Sequence, residues 1–199
     1  MSTAAAPGRL ELVRSFVNTL DVEEGVDELA DPAALGSWLR EHGLMRGRAA
    51  TRAELEQARR VREALRALLL ANNGLSARRQ AGAVLDAGAR RSRLGVRFRP
   101  DGSRLEPTAG GVDGALGRLL AIVATAMLDG TWARLKACRA EDCRWAFYDH
   151  ARNRSRTWCS MAVCGNRAKA RAYRSRRSRS PSATPQRWKA PRLTSSAPR

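Results

Sequence analysis

The sequence predicts a mainly α protein with a small β-hairpin, in which a helical N-terminal domain precedes a treble-clef-like or ribbon-like finger. Apolar residues recur at helical spacing through most of the first 130 positions, and one stretch near residue 94 switches to a period of two. All four cysteines fall in two evenly spaced pairs between residues 138 and 164.

Leu10, Val13, Phe16, Val17 and Leu20 share one helical face, so a first helix is expected to close near Asp21. The acidic stretch DVEEGVDELA then reads as a loop. Asp31 ahead of Pro32 places an N-cap before a proline at the first helical position, and Leu35, Trp38 and Leu39 turn inward until Gly43 ends the helix. His42, beside that end, reads as a capping or surface residue. Thr51 and Glu54 have capping-box spacing for a longer helix that buries Leu55, Ala58, Val61, Leu65, Leu68 and Leu69 and stops at Asn72-Asn73-Gly74. A weaker helical pattern covers 76–88. Leu94, Val96 and Phe98 then alternate with glycine or arginine, and Pro100-Asp101-Gly102 supplies a turn, which predicts a β-hairpin. A helix resumes near Val112 through Leu119, Leu120, Ile122, Val123, Ala126 and Met127 and leads toward the cysteines.

A chain of 199 residues suits one ordinary domain with a small appended module. The net charge of +18 is uneven: residues 1–130 hold 19 basic and 16 acidic side chains, and residues 131–199 hold 18 and 3. A field concentrated in the C-terminal third favours a polyanion. Its arginines are separated mostly by Ala and Ser, which gives no broad apolar face for a membrane surface, so nucleic acid is the expected partner. The longest apolar run, Leu119 to Leu128, is short for a bilayer, and the N-terminus lacks the order of a signal peptide. A soluble cytoplasmic protein is expected. After Tyr173 the chain is rich in Arg, Ser, Pro and Thr, so 178–199 is expected to be a disordered basic tail. The organisation read from these features is a helical regulator or sensor domain at 1–130, a finger with a basic helix at 131–177, and the tail.

Cys138 and Cys143 are separated by four residues, Cys159 and Cys164 likewise, and fifteen residues lie between the pairs. Two chelating pairs across a spacer of hairpin length suggest one tetrahedral zinc with four thiolates; two disulfides or unpaired core thiols are the alternatives. Between the pairs, Trp145 and Phe147 alternate with Arg144, Ala146 and Tyr148, a strand signature, and a polar turn leads to a second strand at 156–159. The residues after Cys164 are strongly helical, and Arg167, Arg171 and Arg174 recur on one face. Arg139, Arg144, Arg167 and Lys169 are placed to offset the charge of a four-thiolate centre.

The stretch WCSMAVCGNRAKARAYRSR resembles the CGNR zinc-finger family, named for the tetrad Cys164-Gly165-Asn166-Arg167. The segment from Cys138 is similar to the part that precedes the tetrad in that family. FVNTLD at Phe16 to Asp21, the acidic loop and DPAALGSWLREHGL resemble its usual partner, the ABATE-type stress-induced transcription regulator domain. The resemblance runs from about Leu10 to Arg177 and implies a bacterial DNA-binding transcriptional regulator. It carries Cys138, Cys143, Cys159 and Cys164 over as ligands of one structural Zn2+, and it carries over no catalytic residue. One departure is Ala151 after Asp149 and His150, where the family has a serine. His150 then reads as an exposed turn residue.

The expected function is a zinc-dependent regulator whose basic helix, with Arg167, Lys169, Arg171, Arg174, Arg176 and Arg177, contacts DNA. The N-terminal domain would bind a small-molecule effector or mediate self-association. The alternative is an RNA-binding or ribosome-associated finger, with Trp145, Phe147, Tyr148 and Trp158 available to stack on bases. An enzyme is not expected: four thiolates leave no open position on the metal, and no nucleophile-base arrangement or phosphate loop occurs upstream.

Overall fold

The computed structural model describes residues 4–76 and 79–179. The tail from 180 onward lies outside the described residues. In chain order the helices are α1 (Leu10–Asn18), α2 (Pro32–Glu41), α3 (Arg52–Asn72), α4 (Arg79–Arg91), α5 (Gly111–Leu128) and α6 (Asn166–Arg179). Three two-stranded antiparallel ribbons interrupt them: β1 (Leu20–Asp21) with β2 (Val26–Asp27), β3 (Leu94–Arg99) with β4 (Gly102–Pro107), and β5 (Leu135–Ala137) with β6 (Ala146–Tyr148).

Local chemistry fixes the helix starts. The Asp31 carboxylate accepts from the Ala34 N–H at 2.8 Å with Pro32 in the first turn, and Thr51 and Glu54 form both halves of the capping box. Gly43 ends α2 with a φ of +66°, a conformation that a side chain would strain. His42 completes that end, its Nδ1 2.8 Å from the Trp38 carbonyl oxygen and its ring stacked on Trp38 at 3.9 Å.

α5 is the centre of the core. By length and mean hydropathy it could cross a bilayer, which the shorter apolar run within it did not suggest. Here Leu116, Leu119, Leu120, Ile122 and Val123 are buried against α1, α3 and α4. The same core takes in Val13, Phe16 and Val17 of α1, Leu55, Val61, Leu65 and Leu69 of α3, and Leu35, Trp38 and Leu39 of α2.

Two findings differ from the sequence reading, at the acidic loop and at 156–159, and one adds to it. The acidic loop closes as the small β1–β2 ribbon, because Asp27 pairs with the buried Arg62 of α3 at 2.6 Å and the Asp21 carboxylate caps the Glu23 and Glu24 N–H groups. The β3–β4 ribbon has the expected turn, with Arg99 paired to Gly102; its base packs on α5 and only its turn end stands clear, with Phe98 85% exposed. The strand at 156–159 does not form. The partner of β6 is β5, which precedes the first cysteine, so the Cys138–Cys143 knuckle is itself the turn of the ribbon and its backbone groups are already taken.

That ribbon is two-faced, because side chains alternate along a strand. Leu135, Ala137, Ala146 and Tyr148 join the main core, whereas Phe147 joins a second, small cluster with Cys138, Ala140, Cys143, Cys159 and Cys164. Side-chain amides hold its backbone from below. Asn18 accepts from the Ala146 N–H at 2.7 Å and donates to the Ala146 carbonyl at 3.0 Å. Asn72 donates to the Trp132 and Leu135 carbonyls, and Asn73 to those of Ala137 and Thr157, all at 2.8 to 2.9 Å. Arg66, almost wholly buried, donates to the carbonyls of Val17, Leu20 and Arg144. A buried backbone group left without a partner costs about 1–3 kcal/mol. Asn18→Leu, which fills the space and orphans both Ala146 groups, is therefore expected to destabilise the chain by about 2–5 kcal/mol, read as a lower denaturant midpoint at unchanged slope. A loss below half a kcal/mol, on the scale of an ordinary surface change, would mean that the amide clamp contributes little.

Candidate metal centre

The four cysteines arrive from two short structures. Cys138 leaves β5 with its N–H bonded to the Trp145 carbonyl at 2.9 Å, and the chain turns through Ala140, whose carbonyl accepts from both the Cys143 and Arg144 N–H groups at 3.1 Å. Arg144 takes a φ of +54° to complete the knuckle. The second pair brackets the start of a π-helical turn, Met161–Gly165, with Cys159 just before its cap, the Ser160 hydroxyl, which accepts from the Val163 N–H. Cys164 lies in that turn and α6 starts directly after it.

The CGNR tetrad has a physical reason at each position. A Cβ on Gly165 would stand 2.3 Å from the Met161 sulfur and 3.3 Å from the Trp158 ring, so a side chain there would require the exposed Met161 side chain to move aside. The Asn166 amide donates to the Ala162 carbonyl at 3.1 Å, which joins the π-turn to α6. An Arg167 guanidinium N–H points at the Cys164 sulfur at 3.8 Å.

All four sulfurs lie within 4.8 Å of one another and all four residues are buried. Cys143 and Cys159 are 3.5 Å apart and Cys159 and Cys164 3.6 Å, too long for a disulfide bond of about 2.05 Å. A tetrahedral ion with metal–thiolate bonds of about 2.3 Å sets sulfur–sulfur distances of about 3.8 Å. The donor set and its spacing therefore fit a four-coordinate metal ion. Electrostatics agree. The Cys143 and Cys159 thiols hydrogen-bond to the Cys138 sulfur and hold it as a thiolate, with a pKa of about 2. The hydrogen bond each donates to Cys138, with burial and the Cys138 charge behind it, pushes Cys143 up to about 12 and raises Cys159 as well, while burial and then Cys138 raise Cys164. Without a cation at the centre, one thiolate keeps the others protonated.

Beneath the knuckles lies a buried ion pair. The Lys136 ammonium donates to Asp149 at 2.8 Å and to the carbonyls of Arg154 and Arg156 at 2.6 and 3.1 Å, and Asp149 also accepts from the Ala151 and Arg156 N–H groups. These contacts close the loop that returns the chain from β6 to Cys159. Nothing in the sequence reading assigned this role to Lys136 or Asp149. His150 is exposed, with its Nε2 3.0 Å from the Ala5 carbonyl oxygen, and takes no part in the thiol cluster.

The basic residues divide into two groups. Arg167 is engaged at the root of α6, with Glu23 at 2.8 Å and Asp142 at 3.6 Å, and the Glu23 contact, the largest cause, raises its pKa. Arg171 reaches the same Asp142 at 3.4 Å. Lys169, Arg171, Arg174 and Arg176 are exposed along α6, and the side chain of Arg177 falls outside the described residues. Glu23 and Asp142, partners of these arginines, were not legible as such in the sequence. Of the aromatics offered for base stacking, Phe147 and Tyr148 are buried, and Trp145 and Trp158 are partly buried against the thiol cluster.

Burial alone would raise the Asp149 carboxyl, but the Lys136 ammonium and the backbone N–H groups outweigh it and hold its pKa below the ordinary carboxylate range. A depressed folded pKa stabilises above the unfolded value, and that stability is lost as pH falls through the folded one. Asp149→Asn is thus expected to show its full deficit near neutral pH and a shrinking one below about pH 4, measured as the difference in unfolding free energy from the parent chain at each pH. A deficit that stays constant across the acid range would remove the charge from the account.

No curated protein matches the chain. Two protein families do: residues 134–177 match the CGNR zinc finger, and residues 10–130, over half of the chain, match the family described as "Putative stress-induced transcription regulator". The ordered helical core, the four-thiol centre and these matches agree, and the chain belongs to that regulator family, with a CGNR zinc finger on its C-terminal side.

Proposed function

We propose that the chain is a zinc-dependent DNA-binding transcriptional regulator. Cys138, Cys143, Cys159 and Cys164 hold one structural Zn2+, and the centre fixes α6 for contact with DNA. The N-terminal domain senses a small molecule or mediates assembly, in the setting of a bacterial cytoplasm. The carrying observation is that four buried sulfurs within 4.8 Å form the root of a helix whose Lys169, Arg171, Arg174 and Arg176 are exposed.

A set of four thiolates suits zinc or an iron–sulfur centre, and the match to a zinc finger favours zinc. With all four positions taken by sulfur, no site is left for water or substrate, which supports a structural role and argues against an enzyme. Bound zinc supplies the positive charge that lets the three raised thiols ionise. The residues do the rest. Gly165 and Asn166 set the direction of α6, and Arg167, tied to Glu23 and Asp142, fixes its first turn. Arg174, two turns along the face from Arg167, and Lys169 are left to reach phosphates or a groove, while Arg171 must leave Asp142 to do so.

Selection from a random DNA pool at moderate salt, with matched RNA as competitor, tests the reading. The zinc-loaded chain is expected to recover a DNA consensus. Arg171→Ala and Arg174→Ala are expected to weaken binding at unchanged zinc content, by about 1–3 kcal/mol with relaxed choice at one base pair if the residue reads a base edge, and uniformly if it meets phosphate. A chelator should abolish selection. Recovery of RNA in preference to DNA would favour the ribonucleoprotein alternative, and undiminished DNA binding in both variants would return α6 to a solvated basic face.

A further inference from the structure

Building on the regulator reading above and naming the class of its effector, we propose that the cleft between the start of α1, the β3–β4 ribbon and α5 binds a small amphipathic monocarboxylate. The cleft has a volume of about 820 Å³, within the range of about 300–1,000 Å³ that small-molecule sites occupy. Its back wall is the protein core itself: Leu10, Ile122 and Ala126 are buried core residues that also line it, with Leu105 beside them. Val96 and Leu128 stand at its sides, 50% and 85% exposed. Apolar surface open to water beside a concave wall is what a ligand hydrocarbon would cover.

The charges give the ligand a direction. Four ionised side chains line the cleft: Arg9, Arg104, Glu106 and Asp129. Arg104 is paired with Asp101, and Glu106 with Arg99 at 3.0 Å. Arg9 has no carboxylate partner among the described residues. A smaller adjoining hollow is lined by Arg9, Arg118, Glu106 and Ala121, so the Ala121 end is the basic end. Asp129 lies eight residues further along the α5 axis, about 12 Å away. It is held ionised by the Thr131 hydroxyl and N–H, at 2.6 and 2.9 Å. One carboxylate therefore suits the Arg9 end, a hydrocarbon suits the wall between, and a second carboxylate at the far end meets Asp129. The segment that a ligand would touch, Pro7 to Leu10, is tied to the finger on both sides: Ala5 contacts His150, and α1 runs to Asn18 on Ala146.

Calorimetric titration of the zinc-loaded full chain with decanoate, decanol and decanedioate tests the site without DNA. Decanoate is expected to bind saturably with one site per chain, and decanol and decanedioate about tenfold more weakly, the scale of one charge-assisted contact. Arg9→Gln is expected to remove the advantage of decanoate over decanol. Thr125→Trp, which adds an indole to the cleft wall away from Arg9, is expected to weaken acid and alcohol alike. Arg52→Gln, an 80% exposed arginine on α3 outside the cleft, is expected to leave decanoate binding intact. No saturable binding overturns the proposal, as does equal loss in Arg9→Gln and Arg52→Gln, which would reduce the effect to general attraction to a basic chain. A failure here leaves the DNA reading standing, and a failure of DNA selection leaves the cleft standing, because neither assay contains the other ligand.

Discussion

Four thiols whose sulfurs lie within 4.8 Å cannot all ionise by themselves, and the finger at 134–177 is arranged around that constraint. The first thiolate, at Cys138, suppresses the next two, so the cluster calls for a cation before it can act as a four-ligand centre. The apolar content around it is small: Ala140 and Phe147, with Trp145, Trp158 and Val163 packed on the outside. A cluster of that size does little by itself to offset the entropy of ordering the finger, whose remaining apolar support comes from the main core through the other face of the β5–β6 ribbon.

The centre is not an independent bead on the helical body. The β5–β6 ribbon gives one face to the main core and the other to the thiol cluster, and Asn18, Asn72, Asn73 and Arg66 hydrogen-bond its carbonyls from α1 and α3. The direction of α6 follows from this rigid base through the π-turn. Glu23, carried on the turn of the β1–β2 ribbon, reaches Arg167 and links the N-terminal half to the root of the basic helix at a second place.

Much of this was legible in the sequence because short-range rules govern it. Asp31-Pro32, Thr51 with Glu54, and Gly43 specify helix ends through contacts three or four residues away, and the structure has each of them. The cysteine spacing was legible because chelation by a turn is local. The polar clamp was not. Asn72 and Asn73 carry the ordinary signature of a helix stop, and their second role depends on carbonyls sixty or more residues later. Nothing in the local pattern marks Arg62 and Arg66 as buried, since it is tertiary packing that covers α3 on that side with the β1–β2 ribbon and the Arg144 knuckle. The mispairing of β6 has the same origin. Alternation identifies a strand, and only tertiary packing chooses its partner.

In the proposed centre four sulfurs and nothing else close the metal sphere. X-ray absorption at the zinc edge of the loaded full chain reads that shell. Four sulfur scatterers in a single first shell at about 2.3 Å are expected. A shell containing nitrogen or oxygen at about 2.0–2.1 Å, or fewer than four sulfurs, would contradict the proposed centre.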